Sequence, residues 1–183
     1  MRDADILKMN IEEIVQDDLT RYLRNLGEIG GKMPETDDIC EKWEQISKAY
    51  IPDGIREFSE YPTVSLGWMM YTGMAVATFW EEDWESWHNR DDIYQELRSA
   101  RGFDCMDEYI RQEILDLEGK EYDRLELIVA ECASRTDSIL RHANIEPGSK
   151  EAFQAYVACL HQLYLAGAGI QLSRMGYQMT KVN

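Results

Sequence analysis

Glu85-Ser-Trp-His88 is the residue group best suited to chemistry in this chain. Three residues apart on a helix, the two side chains share one face, and this is the spacing with which di-metal carboxylate bundles hold their ions. Such a centre needs a second Glu-x-x-His and two further glutamates. The other histidines, His142 and His161, have Ile139 and Ala158 at the matching positions, so the constellation cannot be completed. Glu81 or Glu82 could add one ligand from the preceding turn, but a stable transition-metal site recruits three or four with supporting partners. The expectation is no metal and no cofactor, with Glu85 and His88 as weak candidates on a solvated helix end.

His161 lies inside an uncharged run beside Gln162. A lone histidine in such a run is usually a hydrogen-bonded core residue. The sharper reading puts it in a polar pocket with Gln162, Gln154, Tyr71 and Thr72, where a tuned imidazole acts as acid or base. Trp80, Trp84 and Trp87 recur at helical spacing among acids. Such a stripe is the edge of a core, with buried rings and wet N–H groups, or else an anchor for a partner. Gly27-Glu-Ile-Gly-Gly-Lys32 imitates a phosphate loop only in part. Leu26 holds the first glycine position, Met33 follows the lysine, and a helix rather than a strand precedes it. No nucleophile elbow or dinucleotide fingerprint occurs, and Cys159 and His161, two apart, diverge on a helix.

Helices must position these groups. Tyr61–Trp80 is a stretch of twenty residues with no charged side chain, and Ala152–Ser173 is another of twenty-two. Apolar residues fall on every face of the first, the pattern of a helix surrounded by protein, and Pro62 suits its first turn. Both runs are long enough to span a membrane. The first carries Ser, Thr, Gly and Pro, the second Gln and His, and Glu60 and Glu81-Glu82-Asp83 flank the first without the basic bias of membrane helices. Two buried core helices are the better reading.

Around them the periodicity predicts a helix over 3–26 on Leu7, Ile11, Val15, Leu19, Tyr22 and Leu26, stopped by Gly27. A second starts near Pro34 with Ile39, Trp43, Ile46 and Tyr50, and Ile51-Pro-Asp-Gly54 marks a turn after it. A short helix carries Ile93, Tyr94 and Leu97 up to Gly102. Another follows Asp104 as N-cap, with Met106, Ile110, Ile114 and Leu117. The helix over 120–143 has a narrow seam of Tyr122, Leu125, Val129, Cys132, Thr136 and Ile139. Ser149 caps the last helix, which runs to about 177. No run alternates as a half-buried strand does, and no linker divides the chain. The fold expected is all-α: one domain over 1–183, an antiparallel bundle of six or seven helices around the two uncharged ones.

The net charge is −16 over 183 residues. It is uneven: residues 81–126 carry 16 acids and 6 bases, whereas 127–183 carry 4 and 5. This balance excludes non-specific binding to nucleic acid or anionic membrane, which needs basic patches. Acidity serves solubility; a basic protein partner is the sharper alternative. Cys40, Cys105, Cys132 and Cys159 form no C-x-x-C pair, and the charged N-terminus is unlike an export signal, so reduced thiols in a cytoplasm are expected. Five Trp and ten Tyr motivate a homodimer through an aromatic helix face. The functional expectation is a non-catalytic interaction or small-ligand-binding protein. The alternative is an enzyme or metalloprotein built around His161 or Glu85/His88.

Overall fold

A computed structural model describes the backbone over residues 3–177 and side chains over 11–177. Within it the chain is α1 (Asp3–Asn25), α2 (Asp37–Phe58), α3 (Pro62–Trp87), α4 (Ile93–Arg101), α5 (Met106–Tyr109), α6 (Gly119–Arg141) and α7 (Lys150–Arg174). No strand occurs among the described residues, and no helix among them is long and apolar enough to cross a membrane. The seven helices pack into one compact all-α bundle.

The two uncharged helices, α3 and α7, form the centre and make the most extensive helix pair. They run in the same direction: Ser65 meets Tyr156 near their starts, and Trp80 meets Tyr177 near their ends. Their backbones touch. Gly73 lies against the Tyr164 carbonyl and Gly167 against the Met70 carbonyl, so a Cβ at either would overlap the opposing main chain. Gly73 supplies the close approach on α3 and Gly167 on α7. Gly169 instead admits the 26–36 connection, since a Cβ there would stand 3.2 Å from Pro34 and 3.4 Å from Ile29. Every residue from Met69 to Phe79 is buried, as the all-round apolar pattern requires. Two of the outer long helices run opposite to the central pair. α2 runs against α7, with Ile39 at Tyr164 and Phe58 at Tyr156. α6 does the same, with Glu121 at Arg174.

Three expectations need correction. The Ile51–Gly54 turn does not form; α2 continues through Pro52 to Phe58. An interior proline costs about 3 kcal/mol by removing an N–H donor and crowding the preceding turn. Here the next two residues are pinned. Asp53 is buried and accepts from Tyr94 Oη (2.6 Å) and Arg98 Nε (2.7 Å). The Gly54 carbonyl accepts from Ser65 Oγ at 2.8 Å. At Gly54 a Cβ would stand 2.5 Å from the Tyr156 hydroxyl, so the glycine serves tight packing and not a turn.

The second correction concerns 103–117. Asp104 is not an N-cap but lies in a 3₁₀ turn, Phe103–Cys105, ahead of α5. Beyond α5 the chain widens into a π-helical stretch, Ile110–Ile114, and Leu117 falls past its end. Arg111, in this stretch, is 1% exposed. The third concerns α1. Leu23, not Tyr22 or Leu26, finishes the buried stripe after Ile11, Val15 and Leu19, and Leu26 is exposed; the Leu7 side chain lies outside the described residues. Gly27 does end α1, with φ +74, and Ser149 Oγ accepts from Ala152 N at 3.1 Å as a cap should.

Gly73→Leu must push α3 and α7 apart along their backbones. We expect a loss of about 1–3 kcal/mol from overpacking, read as a lowered melting temperature; an unchanged melting curve would contradict the contact. The thiols give a second check. Cys132 and Cys159 are buried, and burial pushes the Cys132 thiol up to about 12 and Cys159 likewise upward. Cys105 is exposed, while Cys40 is half-buried and raised by burial. Native protein at pH 8 should therefore show one fast thiol with a disulfide reagent and release the rest on denaturation.

Candidate functional site

A concave surface with largely apolar walls lies where the end of α2, the end of α6 and the start of α7 converge. Two adjoining hollows, about 540 and 500 Å³, share Phe58, Ser59, Pro147, Ala152 and Tyr156 as common wall. Local sequence builds it. Pro147 and Gly148 turn the chain tightly, Gly148 at φ +78, and Ser149 then starts α7 so that Ala152 and Tyr156 face the hollow one turn apart. Phe58 reaches it because α2 continues past Pro52, and its ring lies 4.8 Å from that of Tyr156. Ile55 and Phe153 stand at the mouth, 46% and 43% exposed. The opposite end is polar: Arg141 Nε donates to Asp137 Oδ2 at 2.8 Å, and both residues line the second hollow.

Beneath the apolar wall a hydrogen-bonded chain fixes the floor. Ser65 Oγ donates to the Gly54 carbonyl, so its single proton is committed, and the Tyr156 hydroxyl must donate to Ser65 Oγ. Tyr50 Oη donates to the Ser65 carbonyl close by. Burial holds the Tyr50 and Tyr156 phenols well above their ordinary range, so they stay protonated. Among the described residues, the Ser65 hydroxyl is held between the Gly54 carbonyl and the Tyr156 hydroxyl. The arrangement can shape and orient a ligand.

The residues singled out from sequence fall in three other places. His161 Nδ1 pairs with Glu12 Oε1 at 2.9 Å, and its ring lies 5.0 Å from that of Trp43. Its neighbours thus come from α1 and α2, while Tyr71 turns to Trp68 and to Arg111 at the π-helical stretch. Thr72 is buried and donates back to the Trp68 carbonyl at 2.9 Å. Gln162 is 4% exposed and its Oε1 has no hydrogen-bond partner among the described residues. His161, Tyr71 and Thr72 are therefore not gathered around one hollow.

The three tryptophans are half-buried and engaged within the chain. Trp80 Nε1 donates to Asp38 at 3.1 Å, Lys42 lies over Trp84 at 6.0 Å, and Trp87 is stacked on Phe79 at 3.8 Å with Arg90 4.5 Å from its ring centre. Trp87 folds back because Asp83 leaves helical geometry and its Oδ1 caps Ser86 N. Glu85 and His88 lie in this last turn, exposed, with His88 Nδ1 against the Trp84 carbonyl at 2.9 Å. Among the described residues, no three His, Cys, Asp or Glu side chains come together as a metal site would need. Lys32, at the end of the glycine-rich segment, pairs with Glu35.

Comparison with protein-family models, with curated proteins and with solved structures finds no match. The site's own chemistry is therefore the guide to function. What sequence reasoning missed is the groove itself. Ser149 and Pro147-Gly148 were legible as a cap and a loop, but the hollow depends on α2 passing through Pro52, the one place where a breaker signal misled. For the Glu85–His88 corner we expect no stoichiometric zinc, iron or manganese by elemental analysis of untagged protein. Metal at one equivalent that vanishes in His88→Ala would reverse this.

Proposed function

We propose that this protein is a non-catalytic binder of a small, largely apolar molecule, held in the groove over Phe58, Ala152 and Tyr156. The carrying observation is the pair of joined hollows beneath exposed Ile55 and Phe153, with one polar end at Arg141 and Asp137. Hollows of about 300–1,000 Å³ with apolar walls and a few oriented polar groups are what small ligands occupy. The opposed charges of Arg141 and Asp137 cancel, so the fitting ligand is neutral, with a polar group at that end. A committed Tyr156–Ser65 proton chain supports binding over turnover.

The second reading, an enzyme using His161, has one observation in its favour: Glu12 is placed to orient the imidazole as a carboxylate orients a catalytic histidine. Trp43 packs at that ring, and the hollows described lie elsewhere. A homodimer through the tryptophan face and a basic partner for the acidic segments stay as proposals of the same non-catalytic class.

Nile red, a neutral dye that brightens in apolar surroundings, tests the first reading. One saturable equivalent per chain is expected. Ala152→Trp, which fills the wall shared by both hollows, should abolish it, and Leu127→Ala, at an exposed position on α6, should not. Equal dye binding by wild type and Ala152→Trp would refute the groove.

A further inference from the structure

A second hollow, separate from the groove, lies between α3, α5 and α6. It encloses about 200 Å³ and is lined by Trp68, Tyr71, Asp107, Glu126, Thr63 and Ala130, among others. Its wall is braced by Arg111. This side chain, from the π-helical stretch, lies over the rings of Tyr122, at 4.0 Å, and Tyr71, at 5.3 Å. Arg111 also pairs with Asp107 at 2.9 Å and Glu126 at 3.3 Å. Two carboxylates against one guanidinium leave the cluster one negative charge in excess.

The aromatic side is equally specific. Trp68 Nε1 donates to the Phe103 carbonyl at 2.7 Å, so the indole that lines the hollow has no N–H left to offer it. Tyr71 meets Trp68 edge to face, centroids 5.9 Å apart, which fixes two rings at a steep angle. Aromatic faces set at an angle beside carboxylates suit a weakly hydrated organic cation, which gains from the π faces and the net charge together. A metal ion gains nothing from the rings, and no third His, Cys, Asp or Glu ligand joins the two carboxylates among the described residues.

We propose that the hollow between Trp68, Tyr71, Asp107 and Glu126 binds an alkylammonium group of the methylated-amine class. Its size admits the head group and a short stem. The net charge of −16 concentrates such cations near the surface.

The test uses the full chain and tetramethylammonium chloride, with sodium chloride at equal ionic strength as control. The five tryptophans give five indole N–H resonances in a proton–nitrogen spectrum, and Trp68→Phe identifies that of Trp68. A saturable shift of the Trp68 signal is expected with tetramethylammonium and not with sodium. Glu126→Gln, at an exposed residue, should weaken it by about tenfold, the scale of one partly desolvated cation contact. Ala130→Leu, also exposed, should block the mouth and remove it without changing any charge. Glu85→Gln removes the same charge far from the hollow and should leave the affinity unchanged. No saturable shift in wild type, wild-type affinity in Ala130→Leu, or equal weakening by Glu85→Gln would each overturn the proposal. With choline as a second probe, co-sedimentation with phosphatidylcholine vesicles would assign the group to a lipid headgroup. Choline binding without sedimentation would assign it to a free molecule.

Discussion

The backbone contact between α3 and α7 is the constraint on which the other helices depend. With Gly73 and Gly167 each against an opposing carbonyl, the two central helices lie closer than side-chain packing would allow. This closeness explains why both are uncharged along most of their length: neither has a face left for solvent. It also explains their shared direction. Helices adjacent in sequence return antiparallel through short connections, but α3 and α7 are separated by α4, α5 and α6, so the chain can bring them together parallel. The amphipathic helices then cover what remains. α1 packs on α7 and α6, α2 on α3 and α7, and α6 with the 103–117 segment on α3.

How much of this was legible depends on which physical signal each residue carried. The cores of α2, α4 and α6 followed from apolar spacing, because Ile39, Ile46, Tyr50, Ile93, Leu97, Leu125 and Val129 are buried where that spacing put them. The caps at Gly27 and Ser149 were legible because each rests on a local rule. Pro52 was misjudged because its neighbours are held by residues far along the chain, Asp53 by Arg98 and Gly54 by Ser65. Local turn chemistry cannot register partners eleven and forty-five residues away. Arg111 was invisible for a related reason: the groups that surround it, Tyr71, Tyr122 and Glu126, lie on other helices. Tyr71 and Thr72 were noticed as polar groups in a core helix, but their partners were not, since the spacing says nothing of which neighbour a buried face meets.

The polar groups that tie the outer helices to the bundle sit at the boundary between core and solvent. Glu28 is 9% exposed and meets Arg124 at 2.8 Å and Arg174 at 3.8 Å, linking the end of α1 to α6 and α7. Asp18 meets Arg135 at 3.2 Å across α1 and α6. Asp53 links α2 to α4 through Tyr94 and Arg98. In each case the more shielded partner is an acid and the more exposed one an arginine, whose long stem covers apolar surface while its head stays wet. Such pairs add little net stability once desolvation is counted. Their effect is on register: sliding α1 by one turn would leave Glu28 shielded without its cation.

Apart from the break at Asp83, two irregularities adjoin the hollows. Pro52 lies in α2 upstream of the groove, and the π-helical stretch lies beside the hollow at Trp68 and Tyr71. Both are places where a local rule is broken and distant partners hold the break, the pattern expected where a fold has been shaped for something besides stability. For Pro52 the geometric consequence is direct. A chain that turned at Pro52-Asp53-Gly54 would start a new direction before Ile55, and Phe58 would not reach the Tyr156 ring. The groove would then lose a wall it shares between both hollows, although the α3–α7 contact would be untouched. Arg111, within the π-helical stretch, pairs with Asp107 one turn before it and with Glu126 on α6, and lies over the Tyr71 ring on α3. The proline in α2 thus accompanies the approach of Phe58 to the groove, and the π-helical stretch carries the cation that ties three elements together around the hollow at Trp68.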